Sequence, residues 1–206
     1  MMNIKLTNLG KRYNREWIFR NLTFHFSIDK RYAITGPNGS GKSTLLQIIA
    51  GSAIYNKGKI EYGESDKIIE PEKIFQKISF AAPYLELVEE MTLSEFLNFH
   101  YKMKGWISQL DTNQIISLTG LEKSAHKQLR YFSSGMKQRV KLAQAIFSDV
   151  PAVLLDEPTT NLDEEGIILY KTLIGNYCKN RLVIVSSNDK EEYSFCEEFI
   201  DMLKFK

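Results

Sequence analysis

The chain has 206 residues, with 27 basic and 25 acidic side chains and a formal net charge of +2, so charge alone argues for no partner. Hydrophobic residues at 43% and charged residues at 25% are ordinary globular values, and the length suits one domain, or one domain with a subdomain. Cys178 and Cys196 lack metal-ligand spacing and fit a reduced cytosolic protein, no run approaches the ~20 apolar residues of a membrane span, and the start carries no signal-like apolar run.

In chain order, Leu22, Phe24, Phe26 and Ile28 alternate with polar residues, the period of a half-buried strand. RYAIT (31–35) reads as a short buried strand entering a glycine-rich loop, and STLLQIIAG (43–51) as a helix closed by Gly51. NKGKIEYG (56–63) carries a turn and a strand, and KISFAA (77–82) a further short strand. Between Pro83 and Arg130 the pattern turns helical, with Thr92 and Glu95, then Asp111 and Gln114, set as capping-box pairs before apolar runs. Ser133, Ser134 and Gly135 stand before a basic helix-forming run, the composition of a helix N-terminus able to take an anion. From Ala152 the strands return as AVLLDE (152–157), then a helix through GIILYKTLIGNY (166–177), then RLVIVSS (181–187). Strands alternating with helices predict a parallel α/β core, into which the helical middle reads as an insertion.

The strongest motif is GPNGSGKST, comprising Gly36, Pro37, Asn38, Gly39, Ser40, Gly41, Lys42, Ser43 and Thr44, with a strand before it and a helix after it. Glycines let the backbone aim successive N–H groups at phosphate oxygens, and the helix N-terminus adds partial positive charge. Lys42 is placed to reach the β- and γ-phosphates, Ser43 to bind Mg²⁺ and Thr44 to add a phosphate contact. The second motif, AVLLDEP (152–158), ends an apolar strand in two carboxylates at the edge where α/β sheets place ligands. Pleat alternation sends Asp156 and Glu157 to opposite sides, so Asp156 can serve Mg²⁺ while Glu157 orients an attacking water as general base.

The order GPNGSGKST, FSSGMKQRV, VLLDEP, NLD resembles the nucleotide-binding domain of an ATP-binding cassette (ABC) protein across nearly the whole chain. The resemblance implies one cassette domain over 1–206: a P-loop NTPase core with a mostly parallel sheet, an N-terminal antiparallel β portion, and a helical subdomain inserted at about 84–134. It implies ATP as substrate with Mg²⁺. Ser133, Ser134, Gly135 and Met136 fall where the family has its signature, usually Leu-Ser-Gly-Gly-Gln, which binds the γ-phosphate of ATP held by another subunit. Two chains, identical or different, would then sandwich two ATP molecules. Asn161, Leu162 and Asp163 fall in the place of the D-loop that passes between subunits, and Asp163 also reads as a helix cap. Tyr13 lies at the family's distance for an aromatic on adenine, with Trp17 a rival. Lys137 and Arg139 read as a solvated helix face, and Met136 as packing or recognition.

Two positions depart from the family. Pro83 stands where a glutamine usually touches Mg²⁺ and signals to the membrane partner, and Asn188 where a histidine usually contacts the γ-phosphate. Proline offers no donor, and asparagine donates only a neutral hydrogen bond, so a slow ATPase is expected with Glu157, Lys42 and Asn188 as its catalytic groups. The expectation is a cytoplasmic ATPase subunit, peripheral on the inner face of the membrane through a separate permease, with the apolar and acidic stretch PYLELVEEM (83–91) as docking surface. Two other readings stay open: a nucleotide-gated subunit that barely hydrolyses, and a non-transport ABC ATPase. The latter needs a long insertion or a second cassette. Nucleic acid is not an expected partner, because no basic stripe accompanies the charge of +2.

Overall fold

The structure is a computed structural model that describes residues 2–28, 30–65, 67–107 and 110–206. The described residues form two compact units, Met1–Phe80 with Pro151–Glu157 and Asn180–Lys206, and Ala81–Val150 with Pro158–Lys179.

The first unit holds two sheets. An antiparallel sheet is built from β1 (Met2–Tyr13), β2 (Glu16–Ser27), β4 (Lys57–Glu64) and β5 (Lys67–Ile69), in the order β2-β1-β4-β5. The alternation read in β2 is real: Leu22 and Phe26 are buried, Thr23 and His25 exposed. The second sheet contains β3 (Arg31–Thr35), β6 (Ile78–Ala81), β7 (Ala152–Asp156), β8 (Leu182–Ser186) and β9 (Glu198–Asp201), in the order β6-β7-β8-β3-β9. Parallel pairing joins β7 to β8, β8 to β3 and β3 to β9, with Leu154 opposite Ile184 and Asp156 opposite Ser186. β7 and β8 are buried at every position, which is why they read as continuous apolar runs. Helix α1 (Lys42–Ile49) packs Leu45, Leu46, Ile48 and Ile49 into a core shared with Ile4, Leu6, Phe26, Ile34, Leu154 and Ile184. This is an α/β fold with a mostly parallel sheet and an N-terminal antiparallel portion.

The second unit is helical: α2 (Leu93–Lys104), α3 (Thr112–Leu118), α4 (Ser134–Ile146) and α5 (Glu164–Tyr177). Both capping boxes form. The Thr92 side chain accepts from the Glu95 N–H while Glu95 accepts from the Thr92 N–H at 2.8 Å, and Asp111 and Gln114 exchange the same bonds at 2.8 Å each. Two further N-caps start the longer helices. Ser133 Oγ accepts from Met136 N–H at 3.3 Å to start α4, and Asp163 Oδ1 accepts from Gly166 N–H at 2.8 Å to start α5.

Candidate functional site

The glycine-rich loop leaves β3 at Thr35 and enters α1 at Lys42. Gly41 caps the helix with φ of 100°, and a Cβ there would sit 2.5 Å from Ile18 Cγ2, so both the conformation and the space demand glycine. Lys42 is only 5% exposed, and its Nζ donates to the carbonyls of Gly36 (3.0 Å) and Pro37 (3.3 Å). Among the described residues it forms no ion pair. A buried ammonium without a counter-charge is costly, and such a group suits an anionic ligand. Ser40 is buried with an unpartnered Oγ. A cavity of about 340 Å³ opens here, lined by Asn38, Gly39, Gly41, Lys42, Ser43, Thr44, Glu157 and Ile18.

Asp156 ends β7 at 1% exposure with Oδ1 unpartnered, and Ser186, its neighbour on β8, carries an equally unpartnered Oγ. A buried carboxylate oxygen and a hydroxyl left open at a strand's C-terminal edge fit a hydrated cation. Glu157 corrects the strand reading. The strand stops at Asp156, and Glu157 turns into the left-handed region with φ of 41°, its N–H held by the Ser186 carbonyl at 2.8 Å. That turn, uncommon for glutamate, separates the two carboxylates and sets Glu157 on the cavity wall, so pleat alternation is not the cause. Asn188 follows β8, and its Nδ2 donates to Asn38 Oδ1 at 3.3 Å. The phosphate loop, Asp156, Glu157 and Asn188 thus belong to one unit. Tyr13 ends β1, 51% exposed, with the Lys11 ammonium 4.5 Å from its ring centroid, and it does not line the cavity. Trp17 is half-buried under the Arg12 guanidinium.

The second unit gathers the other predicted residues. Ser133, Ser134, Gly135 and Met136 share a cavity of about 570 Å³ with Arg139, Asn161, Leu162, Asp163 and the turn from Gly120 to Ser124. Lys137 and Arg139 are not a solvated face. Lys137 pairs with Glu89, and Arg139 with Asp163 at 3.3 Å. The Gly166 N–H and Arg139 lower the Asp163 pKa. Gln138 is buried and donates to the Pro158 carbonyl at 2.7 Å. The Pro83 carbonyl accepts from Lys141 Nζ at 2.6 Å. Ile18, Ser186, Lys141 and the 120–124 turn escaped the sequence reading, because each reaches its place through strand pairing or helix packing rather than through a local pattern.

The model of the ABC transporter family matches residues 19–160. This chain belongs to that family. Its cassette is 32% identical to the uncharacterised ABC transporter ATP-binding protein YybJ of Bacillus subtilis, over 97% of this chain and 92% of that protein. It is 34% identical to the cytochrome c biogenesis ATP-binding export protein CcmA of Xylella fastidiosa over 74% of this chain and 68% of that protein, and 28% identical to the phosphonates import ATP-binding protein PhnC of Fusobacterium nucleatum over 91% and 83%. Among solved structures, an ABC transporter ATP-binding protein from Pyrococcus furiosus superposes with a TM-score of 0.81 at 22% identity, over 99% of both chains. A dimeric bacterial ABC transporter cassette, MJ0796, superposes with a TM-score of 0.80 at 25% identity, over 97% of this chain and 94% of that one. The cassette is therefore an ABC nucleotide-binding domain of the kind that serves transporters as ATP-binding subunit, and no helix of the described residues is long and apolar enough to cross a membrane.

Proposed function

We propose that this cassette binds and hydrolyses Mg-ATP, dimerises on it, with itself or a second cassette, and drives a separate membrane permease from the cytoplasmic face. The observation that carries this reading is Lys42: a buried ammonium that donates to the Gly36 and Pro37 carbonyls and lines a cavity with the glycine-rich loop.

In this reading the loop amides and Lys42 hold the β- and γ-phosphates, and Thr44 adds a contact. Ser43 and Asp156 are the residues that would hold Mg²⁺, which would supply charge neutralisation at the phosphates. Glu157, fixed by its bond to Ser186, accepts a proton from the attacking water. Asn188 donates its amide to the γ-phosphoryl oxygens as their charge grows. Tyr13 offers its exposed ring to adenine once Lys11 swings aside. The Ser133–Met136 helix start faces the γ-phosphate of the partner cassette's ATP, with Asn161, Leu162 and Asp163 beside it at the dimer seam. Pro83 to Met91 offers the permease a surface with Tyr84 and Val88 exposed.

The neutral amide of Asn188 favours slow turnover, and in the limit a subunit gated by nucleotide more than by hydrolysis. Glu157→Gln tests the reading: it should leave ATP binding intact, stop phosphate release and trap a dimer in gel filtration. A Glu157→Gln chain that turns over at the parent rate removes Glu157 as base, and co-purification without any membrane protein removes the permease.

A further inference from the structure

Pro83 offers the loop that follows β6 no side-chain donor and no backbone N–H, so any grip on it must use its carbonyl. That carbonyl is gripped. Lys141 on α4, 9% exposed, donates to it at 2.6 Å. Burial lowers the pKa of this lysine, the nearby Lys137 charge lowers it further, and Glu86 opposes. One turn earlier on the same helix face, Lys137 pairs with Glu89 at the loop's far end. That end is also tied to the segment that leads into α4. The Arg130 N–H donates to the Glu89 carbonyl at 3.1 Å, Gln128 Nε2 to the Glu90 carbonyl at 3.0 Å, and Arg130 pairs with Glu90 at 3.4 Å. Between the two anchors Tyr84 and Val88 are exposed at 47% and 43%. The loop therefore bridges the first two turns of the helix whose N-terminus is Ser133–Met136.

We propose that Lys141, with Lys137, is a positioning pair that fixes the Pro83–Glu90 loop to α4, so that a shift of the loop is passed to Ser133–Met136 and the reverse. Charge-assisted bonds are about twice as strong as neutral ones, which suits a joint that must move as a unit. Coupling of this kind is reciprocal: what docks on Tyr84 and Val88 biases the signature, and nucleotide at the signature biases the loop. The nucleotide half of this inference rests on the proposed ATP-driven dimer.

Hydrogen exchange on the full chain tests it, with and without saturating Mg-ATP, in the parent, Lys141→Met and Lys141→Arg. Without nucleotide, amides 84–90 in Lys141→Met should exchange about tenfold faster than in the parent, the effect of losing one bond to a charged group on a local opening equilibrium. Lys141→Arg, which keeps the donor, should stay near the parent. With Mg-ATP the parent loop should slow. The Lys141→Met loop should not respond, although its phosphate loop, 36–44, is protected as in the parent. A Lys141→Met loop that exchanges and responds like the parent overturns the proposal. An unprotected phosphate loop in the parent overturns the ATP reading instead, while the nucleotide-free comparison still decides the joint. Should Lys141→Met fail to fold, Lys137→Met, on the more exposed anchor, reads the same loop by the same outcomes.

Discussion

Asn188, just after β8, is joined to Asn38 of the glycine-rich loop: Nδ2 of the one donates to Oδ1 of the other at 3.3 Å. The residue after β8 is thereby held against the phosphate loop by a neutral amide. Loss of a transition-state donor costs about 10²–10³ in rate, and a charge-assisted donor is roughly twice as strong as a neutral one. Asn188→His should raise kcat with little change in KM, and Asn188→Ala should lower kcat. Steady-state phosphate release at saturating Mg-ATP measures both. Equal kcat in all three chains would mean that this position does not meet the γ-phosphate.

Lys42 leads to a contrast between binding and stability. Lys42→Met removes the cation from the phosphate cavity and should weaken Mg-ATP binding by about 100-fold or more, since charge-assisted bonds to phosphate are lost. The same change removes a buried charge that has no ion-pair partner among the described residues. The nucleotide-free Tm should therefore rise, by about 2–4 °C for a gain near 1 kcal/mol. Calorimetry and titration read the two effects separately. A variant that binds as tightly as the parent removes the phosphate-loop assignment.

Local patterns made part of this molecule readable. Both capping boxes and the buried strands β7 and β8 follow from capping pairs and apolar runs over a few residues, and the structure builds them as the residues dictate. Pairing order was not readable. The antiparallel portion came from family resemblance, since β1 mixes bulges with polar positions and shows no clean alternation. The left-handed Glu157 could not be foreseen either, because its bond to the Ser186 carbonyl comes from a strand 29 residues away in sequence. Lys137 and Arg139 read as a solvated helix face in the sequence, and Lys141 carries no local signal there. Their partners, Glu89, the Pro83 carbonyl and Asp163, meet them only once the helices pack.

Gly135 separates sterics from charge. A Cβ at this position would lie 2.9 Å from the Asn161 carbonyl oxygen, so even alanine must push the 161–163 segment. Gly135→Ala should leave ATP binding by the monomer unchanged and weaken the ATP-driven dimer. In the proposed dimer Gly135→Asp would set a carboxylate against the partner's γ-phosphate, a like-charge contact of several kcal/mol, and should abolish the dimer. Sedimentation with Mg-ATP distinguishes the two. If alanine blocks the dimer as fully as aspartate, packing against Asn161 is the cause. If both variants dimerise normally, the signature does not meet the partner's ATP.

His100 sets an acid limit on stability. Its Nε2 lies 2.7 Å from Ser148 Oγ, and its ring stacks on Trp106 with centroids 5.2 Å apart. Burial pushes its pKa down from 6.5 to about 4, the Lys104 charge adds to this, and the Gln144 backbone opposes it. Between these two values the unfolded chain takes up a proton that the folded chain refuses. The stability that the neutral ring contributes is thus complete above pH 6.5 and is lost as pH falls toward 4. Each unit of difference is worth about 1.4 kcal/mol, so a drop to pH 5 should cost at most about 2 kcal/mol, or several degrees of Tm. His100→Gln keeps a hydrogen-bonding side chain and cannot take up the proton. Its Tm should therefore fall less than that of the parent between pH 7 and pH 5. Parallel falls in the two chains, measured by thermal unfolding in matched buffers, would place the acid sensitivity in the carboxylates instead.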